Sequence, residues 1–150
     1  MGAVYFYHLT RHPLETTLPV LLQKAVAAGW RTEVRGTDAA RTAWLDERLW
    51  VQQTDGFLPH ALESEAEASE SPVVLSTEPV DNVHCKMIVD GALVSAAEVQ
   101  ACERVCVLID GHNPDATQAA RDLWKTLTQA GCSAQYWSEE SGKWTKKAEA

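Results

Sequence analysis

The residues best suited to chemistry lie in the segment IDGHNPD, where Asp110, His112 and Asp115 follow a run of apolar residues. A carboxylate or an imidazole at the end of a buried strand can act as a general base or bind a metal ion. The segment also has the ordinary features of a turn and a helix start, because Gly111 permits a bend and Asn113 is a preferred N-cap residue. An enzyme that uses Asp110 and His112 is therefore one interpretation, and it requires a concave pocket at this point.

Two histidines, His8 and His12, form a second pair of candidate ligands. Their spacing of four suits a metal ion on a helix, but the surrounding sequence predicts the end of a strand followed by a loop. The sequence has neither the GxGxxG nor the GxxxxGK[ST] pattern of phosphate-binding loops, and no Ser or Cys lies in the context of a nucleophile elbow. We therefore expect no metal, no cofactor and no catalytic residues.

A helix near the C-terminus carries a third group of candidate residues. Successive residues of a helix are separated by about 100° of turn, so that one face is apolar; this stripe consists of Ala116, Ala119, Ala120, Leu123, Leu127 and Ala130. Trp124 lies at its border, with Arg121 and Thr128 on the same flank and Lys125 a little further round. Arg beside an indole suits an acidic peptide with an apolar end, because the guanidinium group binds carboxylate in a fork. The alternative is an ordinary amphipathic helix with a half-buried Trp.

The elements that would carry these residues alternate between strand and helix. Strands are predicted at 4–10, 30–36, 73–78, 105–110 and 133–140, with a short strand or turn within 85–94. Helices are predicted at 14–28, 38–50, from 95 and at 113–131, with Pro19 causing a kink or a late start in the first. This alternation predicts one α/β domain over residues 1–150, with an open, mostly parallel sheet and helices on both faces. Residues 63–71 are predicted to form an exposed acidic loop and residues 145–150 a C-terminal tail.

The composition excludes several classes of protein. The net charge is −8, which disfavours binding to nucleic acid backbones and anionic membranes. No apolar run is long enough to span a membrane, and no secretory signal is found, so a cytoplasmic location is expected. The four cysteines show no CxxC spacing and are predicted to be buried free thiols. Direct binding of single-stranded DNA by the six tryptophans and the basic segment KWTKK is an alternative that the net charge disfavours.

Three stretches together resemble one family, the chi subunit of bacterial DNA polymerase III holoenzyme. They are VYFYHL at 4–9, LDERLWVQQTDGFLPHAL at 45–62, and the stretch from VLIDGHNPD to SGKW at 107–144. They occur in the order of the family, and the likeness extends over nearly the whole chain. The resemblance implies a non-catalytic accessory subunit with a Rossmann-like outline that lacks a phosphate-binding loop. It also implies an adaptor that links the clamp loader to single-stranded-DNA-binding protein during DNA replication.

The resemblance assigns residues to each of two partners. For the acidic C-terminal tail of single-stranded-DNA-binding protein, the candidates are Arg121, Trp124, Lys125, Thr128, Lys143 and Trp144. For the psi subunit or another clamp-loader subunit, they are Trp50, Phe57, Leu58 and Pro59. Desolvated aromatic anchors of this second kind often dominate an interface.

This chain departs from the family at two places near the tail-binding residues. Family members carry a further basic residue one turn before Arg121, where this chain has Thr117. The extension KKAEA after the segment GKWT is this chain's own, as is the acidic stretch 63–71. The candidates to replace the missing basic residue are Lys143, Lys146 and Lys147.

Overall fold

The alternation of strands and helices builds one open α/β sheet, as predicted. In the computed structural model, residues 2–51, 60–62, 65 and 71–150 are described, except for the side chains of residues 50 and 51. The strands are β1 Ala3–Leu9, β2 Thr32–Arg35, β3 Ala61–Leu62, β4 Val73–Ser76, β5 Cys85–Ile88, β6 Arg104–Asp110, β7 Ser133–Ser138 and β8 Thr145–Glu149. The helices are α1 Leu14–Ala27, α2 Ala39–Val51, α3 Ala96–Ala101 and α4 Pro114–Gln129. Most of the predicted acidic loop lies outside the described residues.

The strand order places the first strand near the middle of the sheet. The order is β3-β4-β2-β5-β6-β1-β7-β8, and every neighbouring pair is parallel except β7 and β8. One apolar core lies under α1 and α2 and includes Leu18 and Leu45, and the other lies under α3 and α4 and includes Val99 and Leu123. We call these two sides the α1–α2 face and the α3–α4 face. This arrangement confirms the predicted fold class.

Helix ends follow the predicted capping residues. The Asn113 side chain accepts hydrogen bonds from the backbone of Asp115 at 3.0 Å and of Ala116 at 3.2 Å, and Pro114 opens α4. Ser95 caps α3 as predicted. In α1 the helix continues through Pro19 from its first turn onwards, so the predicted late start is wrong. Pro19 is the sixth residue of α1, beyond the first turn, so the helix continues although the proline ring removes one backbone N–H donor.

The C-terminal segment differs from the prediction. The residues predicted as a tail form β8, which pairs antiparallel with β7 after a turn through Gly142 with φ +94°. The sequence TKKAE has no apolar alternation, because β8 lies at the sheet edge and most of its side chains face water. The two-residue strand β3, at the other edge, was also missed.

Two further properties agree with the sequence. All four cysteines are free and buried, as predicted. Within the described residues, no helix is both long enough and apolar enough to cross a membrane.

A cluster of charged side chains lies beside α3 on the α3–α4 face. Glu33 is fully buried and accepts from Lys86 Nζ at 2.5 Å and from Arg35 Nε at 2.6 Å. Arg35 reaches across to Glu98 of α3, with 2.5 Å between Nη2 and Oε2. The α3 helix is thus fixed to β2 by an ion pair, and its buried Val99 packs into the core of the α3–α4 face.

The acid stability of the protein should depend on Glu98. The hydrogen bond from Arg35 lowers the pKa of Glu98 from 4.5 to about 2, although burial opposes this shift. Since the folded-state pKa lies below the unfolded value, the carboxylate stabilises the fold above about pH 4.5, and this contribution disappears as the pH falls towards 2. We expect Glu98→Gln to be less stable than wild type at pH 7, with a difference that shrinks on acidification.

Urea denaturation at pH 7, 5, 4 and 3 measures this difference. Glu103→Gln is the matched control, because Glu103 is exposed and its side chain forms no ion pair with the described residues. A stability difference for Glu98→Gln that stays constant from pH 7 to pH 3 would contradict the assignment.

Candidate functional site

A large cavity lies where the chain turns from β1 into α1 and from β6 into α4. We call it the strand-end cleft; its volume is about 800 Å³, and its floor includes Ile88, Ile109 and Leu123. The helices that follow β1 and β6 pack on opposite faces of the sheet, so the cleft occupies the position where open α/β sheets bind ligands. Asp110 and His112 lie on its rim. The concave pocket that the enzyme interpretation requires is therefore present.

Asp110 and His112 are nevertheless engaged in holding the turn. The carboxylate of Asp110 accepts from the backbone N–H of His112 at 3.0 Å, and His112 Nε2 donates to the carbonyl of Thr10 at 2.8 Å. A Cβ on Gly111 would lie 2.5 Å from His8 Nε2 and 2.6 Å from the carbonyl of Leu9, so only glycine fits there. The described contacts are those of a turn that joins β6 to α4.

The two candidate metal ligands, His8 in β1 and His12 in the loop after it, contact different partners. His8 Nδ1 lies 3.1 Å from the hydroxyl of Tyr136, and His12 Nδ1 lies 3.1 Å from the carboxylate of Glu139. The part of the chain that the structure describes contains no group of three or more His, Cys, Asp or Glu suited to a metal ion. His8 and His12 thus have separate hydrogen-bond partners in the structure.

The loop after β1 surrounds a carboxylate of the chain itself. Glu139 Oε1 accepts backbone hydrogen bonds from Thr10 at 3.1 Å, Arg11 at 2.7 Å and His12 at 2.8 Å. Burial opposes the ionisation of Glu139, but the hydrogen bonds outweigh it and its pKa is lowered. In nucleotide-binding α/β folds, backbone amides after the first strand bind phosphate. Here the corresponding amides are occupied by Glu139.

A second, smaller cavity lies between α4 and the β7–β8 hairpin. Its volume is about 400 Å³, and it is lined by His8, Arg121, Tyr136, Ser138, Glu140 and Lys147. We call it the Arg121 cleft. Burial raises the pKa of the Tyr136 hydroxyl, whereas the positive charge of Arg121 opposes the rise. The guanidinium charge therefore acts on the interior of this cleft.

The predicted peptide-binding residues of α4 lie in different surroundings. Arg121 lines the cleft and Lys125 is exposed one turn further along the helix. Trp124 instead packs into the α3–α4 core, with its ring centroid 5.4 Å from that of Phe6, and it does not line the cleft. The Thr128 hydroxyl donates to the Trp124 carbonyl at 2.8 Å. The Trp124 ring also lies 6.1 Å from that of Tyr136, which lines the cleft, so a half-buried indole at this border is common to both interpretations of α4.

Trp144, a predicted contact of the same tail, does not lie beside Trp124. The ring of Trp144 lies edge-on to Tyr7, with 5.3 Å between centroids, and Tyr7 packs on the α1–α2 face. Trp124 lies on the α3–α4 face, so the sheet separates the two tryptophans. The turn through Gly142 directs Trp144 to this side. Lys143 is exposed in the same turn.

Sequence reasoning missed the aromatic ring of the Arg121 cleft. Tyr136 lies on β7 on the same face as buried Ala134, and Ser138 follows two residues later. Alternation with a period of two in SAQYWS was a usable signal, because alternate side chains of a strand share a face. His8 carried no such signal, since its position beside Tyr136 depends on the pairing of β1 with β7.

Comparison with known proteins decides the family. A sequence model for "DNA polymerase III chi subunit, HolC" matches residues 1–135. The chain belongs to the chi family. DNA polymerase III subunit chi of Pseudomonas aeruginosa is 32% identical over 112 residues, which cover 74% of this chain and 76% of that protein. The resemblance inferred from the sequence is thus confirmed, and membership of the chi family makes this chain a replication protein. Strand β8 lies beyond the residues that the family model matches.

Proposed function

We propose that this chi-family protein is a non-catalytic, cytoplasmic adaptor in the polymerase III holoenzyme. One surface binds the acidic C-terminal tail of single-stranded-DNA-binding protein, and another binds psi or another clamp-loader subunit. Membership of the family supports the place in the replicase. The observation that carries the peptide-binding part is the Arg121 cleft, which combines two cationic side chains with an aromatic ring.

The chemistry of the cleft suits the end of an acidic peptide. Arg121 can bind a carboxylate through two parallel hydrogen bonds, and the Tyr136 ring offers an apolar wall for a terminal apolar side chain. The protein as a whole is acidic, with a net charge of −8. Attraction of an acidic peptide must therefore come from local cations, and it should weaken with salt, because charges are screened over about 8 Å at physiological ionic strength.

The second surface is assigned by the family resemblance. Trp50, Phe57, Leu58 and Pro59 are the proposed contacts with psi or another clamp-loader subunit; Phe57, Leu58, Pro59 and the side chain of Trp50 lie outside the described residues. Residues 52–59 connect α2 to β3, which is the edge strand opposite β8. The edge position of β3, the described strand that follows this segment, supports two separate binding surfaces.

Titration of a fluorescent peptide that copies the C-terminal tail of the cognate single-stranded-DNA-binding protein tests the proposal. We expect wild type to bind with a Kd in the micromolar range, as is typical of about −8 kcal/mol. Arg121→Ala should weaken binding by about 10- to 30-fold, because hydrogen bonds to charged groups contribute about 1.5–2 kcal/mol. Both proteins are measured at low and at physiological salt.

Arg48→Ala is the matched control, since Arg48 is an exposed arginine of α2 on the other side of the sheet, where it packs over Trp44. It should bind as wild type does. Absence of binding by folded wild type, or equal affinities for the Arg121 and Arg48 variants, would refute the proposal.

A further inference from the structure

Lys147 of β8 is the second cation of the Arg121 cleft. Thr145 pairs with Ser138, which also lines the cleft. Lys147 lies two residues beyond Thr145, and alternate side chains of a strand share a face. Lys147 lines the cleft. Lys146 does not, and its ammonium group lies 3.3 Å from the carboxylate of Glu149.

The charges in the cleft are not neutralised by ion pairs. Among the described residues, no salt bridge involves Arg121 or Lys147. Glu140 lines the same cleft, so the two cations exceed the single carboxylate by one charge. Two unpaired cations that face one concave surface form a site for an anion with more than one negative group.

We propose that Lys147 is a second carboxylate-binding residue of the peptide site. With Arg121, it binds the neighbouring carboxylates at the C-terminal end of an acidic peptide, namely the terminal carboxylate and an adjacent acidic side chain. Lys147 supplies the second cation that α4 lacks at Thr117, and it comes from a strand that lies outside the family match. This inference rests on the proposed function.

The position of Thr117 on α4 supports this role of Lys147 and supplies a test of it. Thr117 lies one helical turn before Arg121 on the same flank of α4, and its hydroxyl donates to the carbonyl of Asn113 at 3.2 Å. A lysine at 117 would place a cation on the helix wall of the cleft, whereas Lys147 places one on the strand wall. A lysine introduced at 117 should therefore replace the function of Lys147.

The experiment compares Lys147→Gln with Lys146→Gln in the same peptide titration. We expect Lys147→Gln to raise the Kd about tenfold and to reduce the salt dependence, because one direct charge contact is lost. Lys146→Gln should change the Kd by less than about twofold, since an exposed pair of this kind contributes little. In the Lys147→Gln background, Thr117→Lys should restore most of the affinity, and Lys147→Arg should bind as wild type does. Thermal unfolding of each variant checks that β8 and the domain are intact.

The outcomes separate this inference from the proposed function. If Arg121→Ala weakens binding but the Lys147 and Lys146 variants behave alike, Lys147 has no role in binding the peptide and the inference is overturned, while the peptide site stands. A folded wild-type protein that does not bind the peptide would overturn the proposed function and the inference with it. Selective loss with Lys147→Gln and recovery with Thr117→Lys would support both.

Discussion

Replacing Glu33 with alanine is expected to lower the free energy of unfolding by about 3–5 kcal/mol, because it leaves buried cations without their counter-ion. Glu33 is fully buried and accepts hydrogen bonds from Lys86, Arg35 and the backbone N–H of Val80. Lys86 and Arg35 are each about 5% exposed and cannot turn to water without moving α3 or the strands. Glu98 alone would then remain to neutralise the positive charges of Lys86 and Arg35.

A double substitution separates the loss of the pair from the loss of packing. Glu33→Met combined with Lys86→Met removes both charges and leaves Arg35 paired with Glu98. Replacing a buried ion pair with apolar residues is often neutral or stabilising, so the double variant should be clearly more stable than Glu33→Ala.

Urea denaturation monitored by tryptophan fluorescence measures these differences. The matched control is Arg41→Gln, which breaks the partly exposed pair of Arg41 with Asp90 and should cost less than about 1 kcal/mol. If Glu33→Ala cost no more than Arg41→Gln, the buried pairs would not stabilise the fold in the way described here.

The second large effect is expected at Glu139. Replacement with alanine removes the acceptor of three backbone N–H groups and the partner of His12, and should destabilise the protein by about 3 kcal/mol. Glu139 is only 4% exposed, so water cannot fully replace its carboxylate without local rearrangement. The contact also joins the loop after β1 to the end of β7, from which the Arg121 cleft is built.

Glu139→Gln is the control that keeps an oxygen acceptor and removes the charge. It should destabilise the protein by less than Glu139→Ala, because hydrogen bonds to an ionised acceptor are the stronger ones. Thermal and urea unfolding at pH 7 provide the comparison. Equal stability of wild type and Glu139→Ala would show that the loop does not depend on this carboxylate.

Local signals in the sequence determined the helices and the central strands. Asn113, Pro114 and Gly131 mark both ends of α4 through capping chemistry that acts within a few residues, and the structure confirms these ends. The apolar run of β6 predicted a strand buried on both faces, which is also observed. Such features are predictable because the residues that cause them lie within the element or directly next to it.

Features that depend on pairing between distant segments were not predicted. Strand β8 has no apolar pattern and exists because β7 offers it a free edge. The side chain of Trp144 lies on the opposite face from Trp124 because of one turn at Gly142. The spacing of residues in the sequence does not determine on which face of the sheet a connecting segment lies.

The sequence by itself determined the fold class, the family and the position of Arg121 on the exposed flank of α4. The tertiary structure alone decided which side chains surround Arg121. Tyr136 and Lys147 come from β7 and β8, and His8 from β1, because parallel and antiparallel pairing aligns residues that are far apart in the chain. A binding cleft is formed by several elements at once, so its composition follows from strand order and register, which no single segment specifies.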